Sequence, residues 1–367
     1  MSGRGLRSAD EATVRDALER RDPLPGTNGF AGTVDGRLVR DVLGRVPLFV
    51  ESGASDPTAD GAWAFRPTDL ETPTLVPAGC ALDASGPACV WELPDPPADT
   101  DHDRALERVG TALEGAVESV SSDAPLAVAF SGGVDSALVA ELLDAPLYVV
   151  GFPGSHDVEA ARTAADAMGR AEALTVVELE PAALEAAVPA VARAIGRTNA
   201  MDVQIALPLY LVAQRAAADG FDALAVGQGA DELFGGYEKV VHLDHRVEAR
   251  TVRGAVREQI RTLPEQLPRD VLALEAAGVE AVAPLLHDAV VDAALRLPEE
   301  LLADETERKR ALRAVSRAYL PAEVLERQKK AVQYGSLVAR ELDRLARQAG
   351  YKRRIGDHVT KYVESLV

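Results

Sequence analysis

Four continuous apolar runs, LAVAF (126–130), LYVVG (147–151), ALTVVEL (173–179) and ALAVG (223–227), alternate with stretches of helical spacing. Those stretches lie at about 135–143, 157–168, 182–195 and 203–219. An unbroken apolar run suits a strand buried on both faces, and strands alternating with helices give a parallel sheet covered on each side. The pattern therefore predicts an α/β fold. A helix at 103–120 precedes it. From about 238 onward only helices are expected, at 253–262, 268–277, 284–296, 306–319, 335–348 and 356–366.

The first hundred residues read differently. Turn-rich DPLPGTNG, ESGASDPTADG, ASGPAC and LPDPPADTDHD separate the strand-like runs FAGTV, VPLFVE, AWAF and CVWEL. A small β-rich region is expected there. The Pro/Asp-rich stretch 94–103 reads as a linker, so the predicted domains are 1–100 and 101–367.

The net charge is −19 and the pI near 4.8. Such a field repels nucleic acid and anionic membrane, so neither is an expected partner. No apolar run approaches a membrane span, and MSGRGLRSAD lacks the apolar centre of a signal peptide. A soluble, cytoplasmic protein is expected. Cys80 and Cys89 do not form a metal-ligand spacing; a disulfide between them stays open, though no secretory context supports one. Only Lys239, Lys309, Lys329, Lys330, Lys352 and Lys361 are lysines, against 33 arginines (39 − 6). This acidic, lysine-poor, alanine-rich composition fits a high-salt cytoplasm or a GC-rich genome. Each lysine that remains is correspondingly informative.

SGGVDS (131–136) follows the first strand of the alternating region. Gly132 and Gly133 let the backbone approach a ligand, and successive N–H groups can cradle an anion. The following helix aims its positive end at the same point. Ser131 and Ser136 can donate hydroxyl hydrogen bonds. Asp135 would repel phosphate directly, so its expected role is to hold Mg²⁺. Unlike the Gly-Lys-Ser/Thr phosphate loop, this one has no lysine. The plainer alternative is a tight strand-to-helix turn with an incidental glycine pair. Further on, Asp231 and Glu232 follow the strand end at Gly227, on the same sheet edge. There Asp231 is expected to complete the magnesium site, while Glu232 stays open; a solvated acidic turn is the alternative.

SGGVDS resembles the pyrophosphate loop of the ATP pyrophosphatase (PP-loop) superfamily, whose members cleave ATP between the α- and β-phosphates. Four further stretches, in order, are similar to asparagine synthetases. They are VGFPGSHDVEAARTAADAMG (150–169), VGQGADELFGGY (226–237), the segment 277–301 and ERQKKAVQYG (326–335). The resemblance runs from about 104 to 348. It implies an adenine nucleotide α-hydrolase-like fold with a helical C-terminal part. Implied nucleotide contacts fall at Ala129, Ser131, Gly132, Gly133, Asp135, Ser136, Val150 and Gly227. The implied metal ligands are Asp135 and Asp231, and the implied catalytic residues are Lys329, Asp231 and Gln228. Lys330 reads as a solvated neighbour.

FAGTVDGRLVRDVLGRVPLFVE (30–51) resembles the R-D-x-x-G-x-x-P-L-Y segment of the family's glutaminase domain, and LVPAGC its later P-x-G turn. That glutaminase needs an N-terminal cysteine, and here Met1-Ser2-Gly3 begins the chain. The front region is therefore expected to be a shortened, inactive remnant. Three positions depart from the family pattern: Gln228 for a glutamate, Val226 for a serine and Val282 for an arginine. Asn199, Asp202 and Gln204 lie where an acceptor pocket would form.

The expected activity is an AMP-forming amide ligation using ATP and Mg²⁺, with aspartate as the family's default acceptor and ammonia from solution or a separate glutaminase. A homodimer is compatible with this reading. The rivals are a related adenylating amide or lactam synthetase with another acceptor, and a non-catalytic nucleotide-binding paralogue. A tRNA-thiolating role is disfavoured by the missing Cys-x-x-Cys and the acidic charge.

Overall fold

A computed structural model describes residues 5–120, 124–327 and 332–367. The chain divides into two units. One gathers Ser121–Val226, Arg269–Val282 and Ser316–Val367; the other gathers Met1–Val120, Gly227–Pro268 and Ala283–Val315.

The first unit holds the parallel sheet that the apolar runs predict. Its spatial order is Leu174–Glu178, Leu147–Gly151, Leu126–Ala129, Ala223–Ala225, Glu280–Val282, and every neighbouring pair is parallel. All five residues of Leu147–Gly151 are buried, as an interior strand's unbroken apolar run requires. From the strand Leu126–Ala129 the chain moves outward through the second and third strands, then returns to its other side with the fourth. That reversal makes a switch point at the carboxyl end of Leu126–Ala129, where open α/β sheets bind ligands.

The fifth strand corrects the expectation of helices alone after residue 238. Glu280–Val282 pairs in parallel with Ala223–Ala225, and Val226 N–H donates to the Val282 carbonyl at 2.9 Å. Three residues on a sheet edge are too few to carry a period-two signal.

The second unit contains two small antiparallel sheets. One is ordered Ala31–Val34, Arg37–Arg40, Cys80–Asp83, Gly86–Cys89. The other is ordered Trp63–Ala64, Phe49–Glu51, Pro73–Leu75. Ala31, Leu38, Leu48, Trp63, Phe65, Val76 and Leu82 form their shared apolar cluster. A helix, Glu11–Arg20, capped by Asp10, precedes them. Within CVWEL only Cys89 belongs to a strand; Trp91 is instead buried, its indole N–H donating to the Ala17 carbonyl at 3.2 Å.

Arg40 is fully buried, and its guanidinium donates to the carbonyls of Val46, Val76, Gly44 and Pro264. A side chain on Gly44 would collide with that guanidinium. Asp41 and Asp288 both pair with the buried Arg45, at 2.9 and 2.7 Å. Asp288 also accepts from the Thr27 N–H at 2.7 Å, fixing the front region to the helix Asp288–Leu295.

The Pro/Asp-rich stretch is bound along its length. Arg257 donates to the Leu93 and Pro94 carbonyls and Arg253 to that of Pro96. Asp99 N–H reaches the Arg296 carbonyl at 2.8 Å. Among the described residues no helix is long and apolar enough to cross a membrane.

Candidate functional site

In the sheet unit, SGGVDS turns from Leu126–Ala129 into the ten-residue helix Val134–Leu143. Gly132 has φ +72°, and a Cβ there would sit 2.5 Å from the Ala160 carbonyl oxygen. No side chain fits in this backbone conformation at this approach. The N-cap residue is Gly133, which has no side chain to offer the first-turn amides as an acceptor. The loop is held from within: Ser131 N–H donates to Ser136 Oγ at 3.1 Å, and Ser136 Oγ donates to the Gly133 carbonyl at 3.2 Å. The hydroxyls of Ser131 and Ser136 lie 3.3 Å apart. Asp135, in the first turn, is 1% exposed.

Ala129 ends its strand one residue before the loop, paired with Tyr148. Val150 lies buried in the adjacent strand, at the register of Val177. Six predicted residues, Ala129, Ser131, Gly132, Gly133, Asp135 and Ser136, are thus continuous at the switch point, with Val150 on the neighbouring strand. Arg327 donates to the Ala160 carbonyl at 2.6 Å, the same oxygen that Gly132 approaches. The start of the ERQKK segment is therefore tethered beside the loop. Lys329 and Lys330 lie outside the described residues.

The other predicted carboxylates belong to the second unit. Gly227, Gln228 and Gly229 lead into the short helix Ala230–Phe234. Gly229 has φ +89°, and a Cβ there would strike the Leu286 side chain. Asp231 Oδ1 lies 2.7 Å from Lys309 Nζ, and Lys309 is buried. A Cβ on Gly236 would overlap both Asp231 Oδ1 and Lys309 Cε, so this close pairing requires glycine. Arg308 donates to the Gly236 carbonyl at 3.0 Å, gripping the same turn. Glu232 points inward, and its carboxyl accepts from the Tyr237 hydroxyl. Burial, and then the Asp231 charge, push the Glu232 carboxyl up from its ordinary range.

Lys309 is a functional candidate that the motif reading passed over. Its one sequence signal is the scarcity of lysine. Asn199 and Asp202 are occupied by other work. Asn199 caps the helix Ala200–Ala218, and Asp202 pairs with Arg197 and Arg269, each at 3.1 Å. Val282, where the family has arginine, lies in the edge strand Glu280–Val282. Among the described residues, no group of three or more His, Cys, Asp or Glu side chains is placed to hold a metal ion.

The switch-point loop and sheet define an α/β protein with a glycine-containing strand-to-helix turn at the carboxyl end of a parallel strand. More particularly, the chain belongs to the asparagine synthase family, whose profile matches residues 108–271 and 245–358. A Methanocaldococcus jannaschii protein, named provisionally as asparagine synthetase [glutamine-hydrolyzing] 1, is 29% identical over 306 residues. That match covers 72% of this chain and 56% of the relative. Escherichia coli asparagine synthetase B [glutamine-hydrolyzing] is 29% identical over 245 residues, covering 60% of this chain and 43% of the relative. The chain thus spans about half the length of these relatives.

Proposed function

We propose that the chain is an ATP-dependent, AMP-forming amide ligase of asparagine synthetase type. The observation that supports this reading is the loop 131–136 at the switch point, where Gly132 packs against the Ala160 backbone in a left-handed turn and the hydroxyls of Ser131 and Ser136 lie 3.3 Å apart. In this reading the loop amides and the two hydroxyls hold the pyrophosphate half of ATP. A substrate carboxylate oxygen, from aspartate by the family's default, attacks the α-phosphorus. The α–β phosphoanhydride bond breaks and pyrophosphate leaves. Ammonia then attacks the acyl carbon, and AMP departs with the bonding electrons.

Asp135 is assigned as a hard oxygen ligand to Mg²⁺, and Asp231, in its own unit, is assigned the same type of role. Carboxylate oxygens suit this hard ion. When bound, it neutralises charge on the phosphate oxygens. Lys329 is assigned to stabilise the adenylation transition state as a compact point charge. Lys309, held beside Asp231, adds a second such charge to the GADELFGG segment. The front region is assigned a packing role, with ammonia taken from solution or from a separate glutaminase. Supporting this, the Arg40 guanidinium is spent on main-chain carbonyls.

Incubation with ATP, Mg²⁺, aspartate and ammonium at high salt tests the reading. Equal yields of AMP and asparagine are expected. No AMP with any carboxylate offered would overturn it.

Gln228 favours a second reading in which the acceptor differs. An amide side chain donates and accepts hydrogen bonds but cannot act as a base. In that case aspartate gives no asparagine, Gln228→Glu does not restore it, and another carboxylate yields AMP.

A further inference from the structure

Cys80 and Cys89 stand directly opposite each other in the antiparallel pair Cys80–Asp83 and Gly86–Cys89. The type of pairing follows from the register. Leu82 faces Pro87, which has no N–H, so Leu82 and Pro87 must be a non-hydrogen-bonded pair. Such pairs recur every second residue, which makes Cys80 and Cys89 the next one. The flanking bond agrees: Val90 N–H donates to the Gly79 carbonyl at 2.8 Å. Non-hydrogen-bonded partners are the closest cross-strand pairs, with Cα atoms about 4.5 Å apart, inside the span a disulfide bridges.

The two thiols differ in access. Cys89 is exposed, on the edge strand of its sheet, and its thiol contacts the Trp91 carbonyl at 3.6 Å. Cys80 is buried, and burial together with the facing Cys89 thiol pushes its own thiol up from the ordinary range. An exposed thiol backed by a buried partner at bridging distance is the arrangement of an attacking and a resolving cysteine.

We propose that Cys80 and Cys89 form a thiol-modification site that reacts with low-molecular-weight disulfides and closes to an intramolecular disulfide. The Cys89 thiolate attacks one sulfur of the small disulfide, forming a mixed disulfide and releasing one small thiolate. Cys80 then loses its proton to solvent, and its sulfur attacks Cys89 Sγ. The Cys80–Cys89 bond forms and the second small thiolate leaves. Two protein thiols are oxidised and one small disulfide is reduced to two thiols. The cross-link fastens the edge strand beside Trp91, where the chain departs for the stretch held by Arg253 and Arg257.

Oxidised glutathione applied to the folded protein is the probe, read by intact mass and by thiol counting after denaturation. The expected result is a monomer that has lost both thiols and gained no adduct, with residues 80 and 89 joined in the non-reduced digest. Excess dithiol should reverse it. Cys80→Ser should trap one glutathione on Cys89, and Cys89→Ser should react at least tenfold more slowly. Retention of both thiols, a stable adduct on each cysteine, or a disulfide-linked dimer would overturn the proposal.

Discussion

Lys309 Nζ lies 2.7 Å from Asp231 Oδ1, joining a lysine-poor chain's one buried described lysine to the aspartate of GADELFGG. Gly236 leaves no room for anything bulkier beside them. If both groups serve ATP, Lys309→Met should cut the rate of pyrophosphate–ATP exchange on the order of 100-fold, the usual loss for one charge-stabilising donor. Breaking the pair should also lower stability by about 2 kcal/mol. That is below the usual range for a buried pair, because Asp231 is one-third exposed. Exchange assays and chemical denaturation on the same preparations separate the two effects.

Gly132 is the second test. Gly132→Ala places a Cβ against the Ala160 carbonyl in a left-handed conformation. We expect ATP affinity to fall at least tenfold by calorimetry and stability to fall by about 1–2 kcal/mol. Unchanged ATP affinity would remove the loop from the nucleotide site.

How much of this was legible in the sequence depends on range. The loop and its sheet were readable because 126–151 carries its own signal: an apolar run, a glycine pair and another apolar run. The Asp231–Lys309 pair was not, because only folding brings positions 78 residues apart (309 − 231) into contact. Glu280–Val282 was hidden by its brevity, and Glu11–Arg20 by the turn-rich sequence that follows it. Residues 94–99 have the composition of a flexible linker. The partners that hold them, Arg253, Arg257 and Arg296, are more than 150 positions away.

Asp202 supplies a pH prediction. Burial pushes its carboxyl up, but hydrogen bonds and charge from Asn199, Arg197 and Arg269 outweigh this and hold it below the usual carboxylate range. A carboxyl lowered on folding stabilises the fold above its unfolded pKa and loses that contribution as pH falls through the folded value. Asp202→Asn should therefore be less stable than the parent at neutral pH. The gap in Tm should close as pH drops below the ordinary aspartate range. A gap that widens on acidification would contradict this assignment.

Asp288 tests how the front region is held. It pairs with buried Arg45 and accepts from Thr27. Removing one member of a buried pair strands the other, so Asp288→Ala should cost about 3 kcal/mol in denaturant unfolding. A cost near that of an exposed pair would mean that Arg45 finds other partners.

The central claim is that the chain breaks ATP between the α- and β-phosphates. Labelled pyrophosphate exchanges into ATP only if an adenylate forms reversibly, so this exchange, run with Mg²⁺ and aspartate, is the most direct measurement. The account predicts label in ATP, abolished in Asp135→Asn and in Lys329→Met. No exchange with aspartate or any other carboxylate, from protein that still binds ATP, would contradict it.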